Sequence, residues 1–168
     1  MEVSDAVRTV LAVRDFQNRP VPDQLVRRIV EAGHLSASSM NLQPWHFIVV
    51  QDPETLKRLG KLARTGPYIA KAPLAIAVLV ERTRFAVSDA SRAVQSMALV
   101  AWAEGVGSNW VGFGGLDEMK AVLGVPEELD ILAVVPFGYP TSDLGLGRKK
   151  RKPLETVASS EHYGQPYK

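Results

Sequence analysis

Hydroxyl and amide side chains are concentrated in the segment SASSMNLQPWHFIVV, residues 36–50, immediately before an apolar run. Three serines, one asparagine and one glutamine lie within its first eight residues. Such groups are costly to bury unless each finds a hydrogen-bond partner. Their position, where the chain enters the core, therefore indicates a turn that is suited to holding a bound molecule.

A second candidate is the glycine-rich segment GVGSNWVGFGG, residues 105–115, in which five glycines surround Trp110 and Phe113. Glycine permits backbone conformations and close approaches that a Cβ atom would block. The segment does not match the dinucleotide-binding fingerprint, because its glycine spacing differs and it follows a predicted helix rather than a strand. Two interpretations stay open: a tight turn, and a backbone that lies flat against a planar ligand.

The remaining residue types exclude several classes of site. The chain has no cysteine, which excludes disulfides, thiolate metal ligands and cysteine nucleophiles. His34, His46 and His162 are far apart and lack acidic residues at metal-ligand spacing, so no metal site is expected. A Gly-x-Ser-x-Gly elbow and a P-loop lysine pattern are also absent. With so few candidates for an acid, a base or a nucleophile, an enzyme built on this chain would rely on a bound cofactor.

Positive charge is concentrated near the C-terminus. The formal net charge is +2, but the run RKKRK at 148–152 supplies five positive charges, so the rest of the chain is net acidic. One short cluster is a poor footprint for nucleic acid, which requires cations spread over a face. A small phosphorylated ligand fits the cluster better, and a solvated tail is the alternative.

Length and composition fit one globular domain with an ordinary core, since the 168 residues are 46% hydrophobic and 23% charged. The N-terminal residues do not form a signal-peptide pattern, and the apolar runs are too short to span a bilayer. We therefore expect a cytoplasmic protein without membrane or nucleic-acid partners.

The elements that must position these residues follow from periodicity and from capping and turn residues. Helices are predicted at 4–16, 23–35, 52–63 and 88–105, with a short helix near Asp117, and buried strands at 46–50, 73–81 and 129–140. In the first helix Val7, Val10, Leu11 and Arg14 recur at helical spacing, which puts Arg14 on the apolar face. The second helix places Leu25, Ile29, Ala32 and Leu35 on one side. The chain thus has at least three strands and four helices.

Several motifs in this order resemble the nitroreductase family of flavin-dependent oxidoreductases, in its short single-domain form. They are VRDF followed by RPVP, SASSMNLQPWHFIVV, APLAIAVLV, SDASRAVQSMALVAWAEGVGSNWVG, PFGYP and KKRKPLETV. The resemblance implies an α+β fold with three layers, in which helices flank a central mixed or antiparallel sheet. It also implies a single domain over residues 1–168 and an intertwined homodimer, with the basic tail, residues 148–168, packed on the partner protomer.

The resemblance implies FMN at the dimer interface, with the flavin rather than a side chain carrying the chemistry. Arg14 would stabilise the reduced flavin electrostatically at its N1/O2 edge, and Lys149 and Arg151 would hold the phosphate. The remaining cofactor contacts expected are Ser36, Ser38, Ser39, Asn41 and Gln43 against the flavin, and Phe113, Gly114 and Gly115 near N5. Trp45 is expected chiefly to pack in the core, with ligand contact as the alternative. Trp110, Phe113 and Tyr68 are candidates either for walls of the site or for the core.

Val10, Leu11 and Ala12 depart from the family pattern, which has polar groups there that contact the phosphate. Loss of one charge-assisted contact costs about 1.5–3 kcal/mol, unless a cation such as Arg8 or Lys150 replaces it. The implied activity is a ping-pong transfer of hydride from NAD(P)H through flavin N5 to a small planar acceptor, such as a nitroaromatic or a quinone. The alternatives are another flavin or deazaflavin reaction, such as reductive dehalogenation, and a non-catalytic flavin-binding or scaffold dimer.

Overall fold

The computed structural model describes residues 1–142 and 149–167. Within them the helices are α1 (Val3–Thr9), α2 (Asp23–His34), α3 (Pro53–Leu62), α4 (Ala86–Ala103) and α5 (Leu116–Leu123). The strands are β1 (Trp45–Val50), β2 (Leu74–Glu81), β3 (Gly107–Ser108) and β4 (Leu129–Gly138). Short 3₁₀ helices span Ser39–Asn41, Pro67–Lys71 and Leu154–Thr156. None of the helices described is both long and apolar enough to cross a bilayer.

The four strands form one antiparallel sheet in the order β1-β2-β4-β3. Strand β2 lies inside the sheet and is buried along almost its whole length, as its continuous apolar sequence predicts. Its alternate side chains belong to two cores: Ile76 shares one with Ile29 of α2 and Met97 of α4, whereas Ala77 shares the other with Leu59 of α3. The expected α+β fold with helices on both faces of the sheet is therefore confirmed.

Local signals predicted the central elements correctly. Helix α3 begins where its cap requires, because the Asp52 carboxylate accepts a hydrogen bond from the Thr55 backbone N–H at 2.8 Å, and Pro53 occupies the first turn. Helix α4 ends just before Gly105, whose positive φ of 78° closes it. Helix α2 also forms as expected, although Leu35 lies beyond its end and is exposed rather than buried.

Strand β1 forms where it was predicted, but the expectation that it is a buried strand is wrong. It is an edge strand, paired only with β2 among the strands described, and His46 and Val49 are exposed. A short run of β-branched and aromatic residues is compatible with either position in a sheet, because the backbone conformation is the same in both.

The predicted helix at 4–16 is wrong over its second half, since α1 ends at Thr9. The following residues are extended because they pair with distant parts of the chain: the Val13 N–H donates to the Ser108 carbonyl at 2.9 Å, and Phe16 forms a bridge with Pro140. These tertiary contacts override the helical periodicity. Arg14 consequently lies in an extended segment and is exposed, not on an apolar helical face.

Candidate functional site

A cleft of about 770 Å³ lies between α1, the extended segment 10–12, α4 and the segment 149–151. We call it the α1–α4 cleft. Its volume is within the range of small-molecule and cofactor sites in proteins. Helix α1 is held against α4 by a hydrogen bond of 2.9 Å from the Trp102 indole N–H to the Thr9 hydroxyl. The wall formed by α1 is therefore fixed to the rest of the fold.

One end of the α1–α4 cleft is basic, because Arg8, Lys149 and Arg151 all line it. The Lys149 ammonium donates a hydrogen bond of 2.6 Å to the Val7 carbonyl near the end of α1. Burial, and then the positive charge of Arg151, lower the pKa of Lys149. None of the described residues that line the cleft is acidic. An anionic group bound there would be attracted by three positive charges.

The remaining walls of the cleft are mainly apolar. Val10 and Leu11 line one side, and Val94 and Ala98, one turn apart on α4, line another. Trp110 completes this surface and is 37% exposed. A cationic end joined to apolar and aromatic walls suits a planar ring that carries a phosphate, so the residues present fit FMN.

The polar turn at 36–43 does not line this cleft, and much of its hydrogen bonding is internal. The Gln43 backbone N–H donates to the Ser38 hydroxyl at 3.0 Å, and the Gln43 side-chain amide donates to the Asn41 carbonyl at 3.2 Å. Met40, Asn41 and Gln43 all have φ values between 51° and 56°, which few residues other than glycine adopt. The turn is therefore a strained conformation that surrounding contacts must hold in place.

The main anchor of this turn is Asp89 of α4, which sequence reasoning missed. Its carboxylate is fully buried and accepts hydrogen bonds from the Ser39 backbone N–H at 2.9 Å and from the Ser39 hydroxyl at 3.1 Å. Arg92 lies 3.3 Å from the same carboxylate. Nearby, the Ser36 hydroxyl donates to the Ser96 hydroxyl at 2.8 Å. The only local signal was an aspartate near the start of an apolar helix, and its partner lies 50 residues away.

The glycine-rich loop forms a tight turn against α3. Gly114 and Gly115 have φ values of 76° and 80°, and a Cβ atom on Gly115 would overlap the Leu62 carbonyl oxygen. The Thr65 hydroxyl donates to the Phe113 carbonyl at 3.2 Å, while the Phe113 side chain is 74% exposed. None of 113–115 lines the α1–α4 cleft, so their contact with a flavin stays a prediction.

The candidate residues Trp45, Tyr68 and Arg14 lie outside the α1–α4 cleft. Trp45 stacks its ring on that of Phe47 with centroids 6.3 Å apart, but it is half-buried on the edge strand and is not one of the core side chains, so the expected packing in the core is not seen. Tyr68 is partly buried and packs against the core, and its hydroxyl accepts a hydrogen bond of 2.6 Å from the Asn109 side-chain amide. Arg14 does not line the cleft, and its role toward a flavin stays a prediction. No three histidine or acidic side chains of the described residues form a group that could hold a metal ion.

Comparison with known proteins places the fold and most of the sequence in one family. The Nitroreductase family model matches residues 8–83 and 66–139. The chain is 32% identical to an NADH dehydrogenase/NAD(P)H nitroreductase of Methanothermobacter thermautotrophicus, over 86% of this chain and 81% of that protein. It is 27% identical to the Bacillus subtilis FMN reductase (NAD(P)H), over 96% and 74% of the two chains.

The fold is similar to that of a crystal structure from Bacteroides thetaiotaomicron, described as an NADH dehydrogenase/NAD(P)H nitroreductase. The two share 26% identity with a TM-score of 0.87, and the match covers 97% of each chain. The likeness therefore extends over nearly all of both chains.

Proposed function

Because the chain belongs to the nitroreductase family, we propose that it is a flavin-dependent NAD(P)H oxidoreductase that holds FMN in the α1–α4 cleft. The observation that carries this proposal is the junction of a basic end, formed by Lys149 and Arg151, with walls of aliphatic and aromatic side chains. The names of the Methanothermobacter and Bacillus relatives, which specify NAD(P)H and FMN, support the same chemistry.

In this proposal the chain's own residues bind and orient rather than act as acids, bases or nucleophiles. Arg151 suits a phosphate because its planar guanidinium donates two parallel hydrogen bonds, and Lys149 adds a second cation. Trp110 and the apolar face of α4 provide stacking and packing surface for a ring system. When bound, FMN would accept hydride from NAD(P)H and pass it to a planar acceptor such as a nitroaromatic or a quinone.

We further propose that the active form is a homodimer. Leu35, Met40 and Leu42 expose apolar side chains around the polar turn, and Leu154 and Val157 do so in the C-terminal segment. A partner protomer that covered these side chains would remove their apolar surface from water, which favours association. A partner protomer covering both would explain why the polar turn does not reach the cleft of its own chain. Of the basic tail expected at 148–168, Lys149 and Arg151 lie against α1 of their own chain, and the part that follows them would lie on the partner. Residues 148 and 168, like 143–147, lie outside the described part of the chain.

The turn at 36–43 and the loop at 113–115 are proposed as further flavin contacts, supplied across this dimer interface. The turn is already rigid, because Asp89 and internal hydrogen bonds hold it in a strained conformation. A rigid turn contributes contacts without a large entropic cost on binding. Arg14, exposed in the extended segment after α1, is proposed as the cation that approaches the flavin ring.

The experiment is steady-state NADH and NADPH oxidation by the FMN-loaded protein, with and without an added quinone. Turnover that depends on the quinone supports the oxidoreductase. A protein that binds FMN but turns over neither nucleotide would be a flavin carrier, and one that neither binds nor turns over would be a scaffold. Either result contradicts the proposed enzyme. Light scattering on the same sample tests the homodimer, which a monomer mass at assay concentration would exclude.

A further inference from the structure

We infer that Arg8 contacts the phosphate of the bound cofactor, in place of the polar groups absent at Val10, Leu11 and Ala12. This inference rests on the proposed function, because it requires FMN to occupy the α1–α4 cleft. Arg8 itself precedes the positions 10–12 at which the family pattern has those polar groups.

Arg8 is placed at the basic end of the cleft by the early end of α1. It lies in the last turn of the helix, and the chain becomes extended immediately afterwards, so that Val10–Ala12 form a wall of the cleft. Arg8 lines this cleft together with Lys149 and Arg151, whereas Lys150, equally charged and adjacent in sequence to both, does not. Of the two cations that could substitute for the missing groups, the structure therefore favours Arg8.

Lys149 brings the two arginines to the same cleft. Its ammonium donates to the Val7 carbonyl at 2.6 Å, which fixes the segment Lys149–Arg151 beside the end of α1. Arg8 directly follows Val7 and Arg151 lies two residues after Lys149, so this single hydrogen bond joins the two parts of the chain that carry them. A lysine ammonium has three donors, so the contact with Val7 leaves others for an anion.

The cations of the cleft have no acidic partner among the described residues that line it. Among the ion pairs of residues 1–142 and 149–167, none includes Arg8 or Arg151. The positive charge of Arg151 already acts unfavourably on the Lys149 ammonium. A phosphate monoester, which carries close to two negative charges and three acceptor oxygens, can accept hydrogen bonds from both arginines and the lysine.

The experiment compares FMN with riboflavin, which has the same ring and ribityl chain but no phosphate. Dissociation constants for both are measured by quenching of flavin fluorescence in the wild type, Arg8→Gln and Lys150→Gln. Lys150→Gln is the matched control, because it removes an equal charge next to the same site. Arg8→Gln should weaken FMN about ten- to a hundredfold and change riboflavin by less than about twofold. Lys150→Gln should leave both affinities within about twofold of the wild type.

Arg8→Lys serves as a second variant, and circular dichroism verifies that each variant is folded. Arg8→Lys should bind FMN with intermediate affinity, because it keeps the charge but loses the planar pair of donors. The inference alone is overturned if the wild type binds FMN and Arg8→Gln binds it equally well. Equal weakening of FMN and riboflavin, or equal weakening by Lys150→Gln, also overturns it. A wild type that binds neither flavin contradicts the proposed function, and the inference with it.

Discussion

Replacing Asp89 by alanine is expected to destabilise the protein strongly, because this carboxylate is the buried anchor of the strained turn at 36–43. It accepts two hydrogen bonds from Ser39, at 2.9 and 3.1 Å, and lies 3.3 Å from Arg92. Alanine leaves the Ser39 N–H and hydroxyl in a partly buried position without their acceptor, and leaves Arg92 without its partner.

The magnitude follows from these contacts. A hydrogen bond to a charged group contributes about 1.5–3 kcal/mol, whereas the ion pair with Arg92 adds less than about 1 kcal/mol because the Arg92 side chain is 56% exposed. Because the two bonds to Ser39 share one carboxylate, they are not independent, and we expect Asp89→Ala to lower the free energy of unfolding by about 3 kcal/mol. Asp89→Asn keeps the shape and one acceptor oxygen, and should cost about half as much.

Urea denaturation at equal protomer concentration measures these differences, since association would make stability depend on concentration. Glu104→Gln is the matched control: this carboxylate lies at the C-terminal end of α4 and binds Arg28 at 2.8 Å, but both side chains are exposed. Its loss should cost less than about 1 kcal/mol. If Asp89→Ala cost no more than Glu104→Gln, the turn would not depend on Asp89 and this reasoning would be refuted.

Three further predictions concern backbone strain and charge. Gly115→Ala should lower the thermal unfolding midpoint clearly more than Gly105→Ala. Both glycines have φ near 80°, a conformation that costs alanine about 1–3 kcal/mol, but only at Gly115 would the added Cβ atom also overlap the Leu62 carbonyl oxygen. Equal shifts in differential scanning calorimetry would contradict this. The pKa of Lys149 is lowered, so this lysine loses its positive charge at a lower pH than an ordinary lysine does. FMN affinity, measured by fluorescence titration, should therefore begin to fall at that lower pH, and Lys149→Arg should abolish the fall. A wild-type pH profile that matches the profile of Lys149→Arg would exclude the effect. Hydrogen bonds from the Thr55 hydroxyl and N–H lower the pKa of Asp52 in the folded protein. The stabilisation that these bonds give is therefore complete above the pKa that Asp52 has in the unfolded chain, and it is lost as the pH falls through the pKa of Asp52 in the folded protein. The midpoint difference between the wild type and Asp52→Ala should therefore shrink on acidification, and a constant difference would argue against the cap.

Elements set by local signals were predictable from the sequence. Asp52 and Pro53 mark the start of α3, Gly105 marks the end of α4, and the continuous apolar run of β2 indicates an interior strand. Each of these signals acts within a few residues, so the sequence contains both the signal and its consequence.

Features that depend on distant partners were not predictable in this way. The segment 10–16 has helical periodicity, yet it is kept extended by the hydrogen bond from Val13 to Ser108 and by the bridge between Phe16 and Pro140. The edge position of β1 depends on which strands pair with it, and the hydrophobic pattern of β1 itself does not indicate its partners. Burial of Asp89 likewise depends on Ser39, which packs against it from another part of the chain.

The residues of the candidate site were likewise predictable only in part. The resemblance indicated Lys149 and Arg151 as a phosphate-binding pair, and the structure brings them together at one end of a cleft. Arg8 joins them only because α1 ends early and Lys149 bonds to Val7, and neither feature is visible in the sequence. The contacts predicted for the polar turn and the glycine loop depend on a second protomer or a bound ring, and stay predictions.

The most direct test of the account is a visible absorption spectrum of the purified protein, followed by titration with FMN and anaerobic addition of NADH or NADPH. The account predicts flavin absorbance that the protein retains or acquires with FMN, and bleaching of that absorbance when the nicotinamide is added. A colourless protein whose spectrum is unchanged by FMN would contradict it, because the α1–α4 cleft would then not be a flavin site.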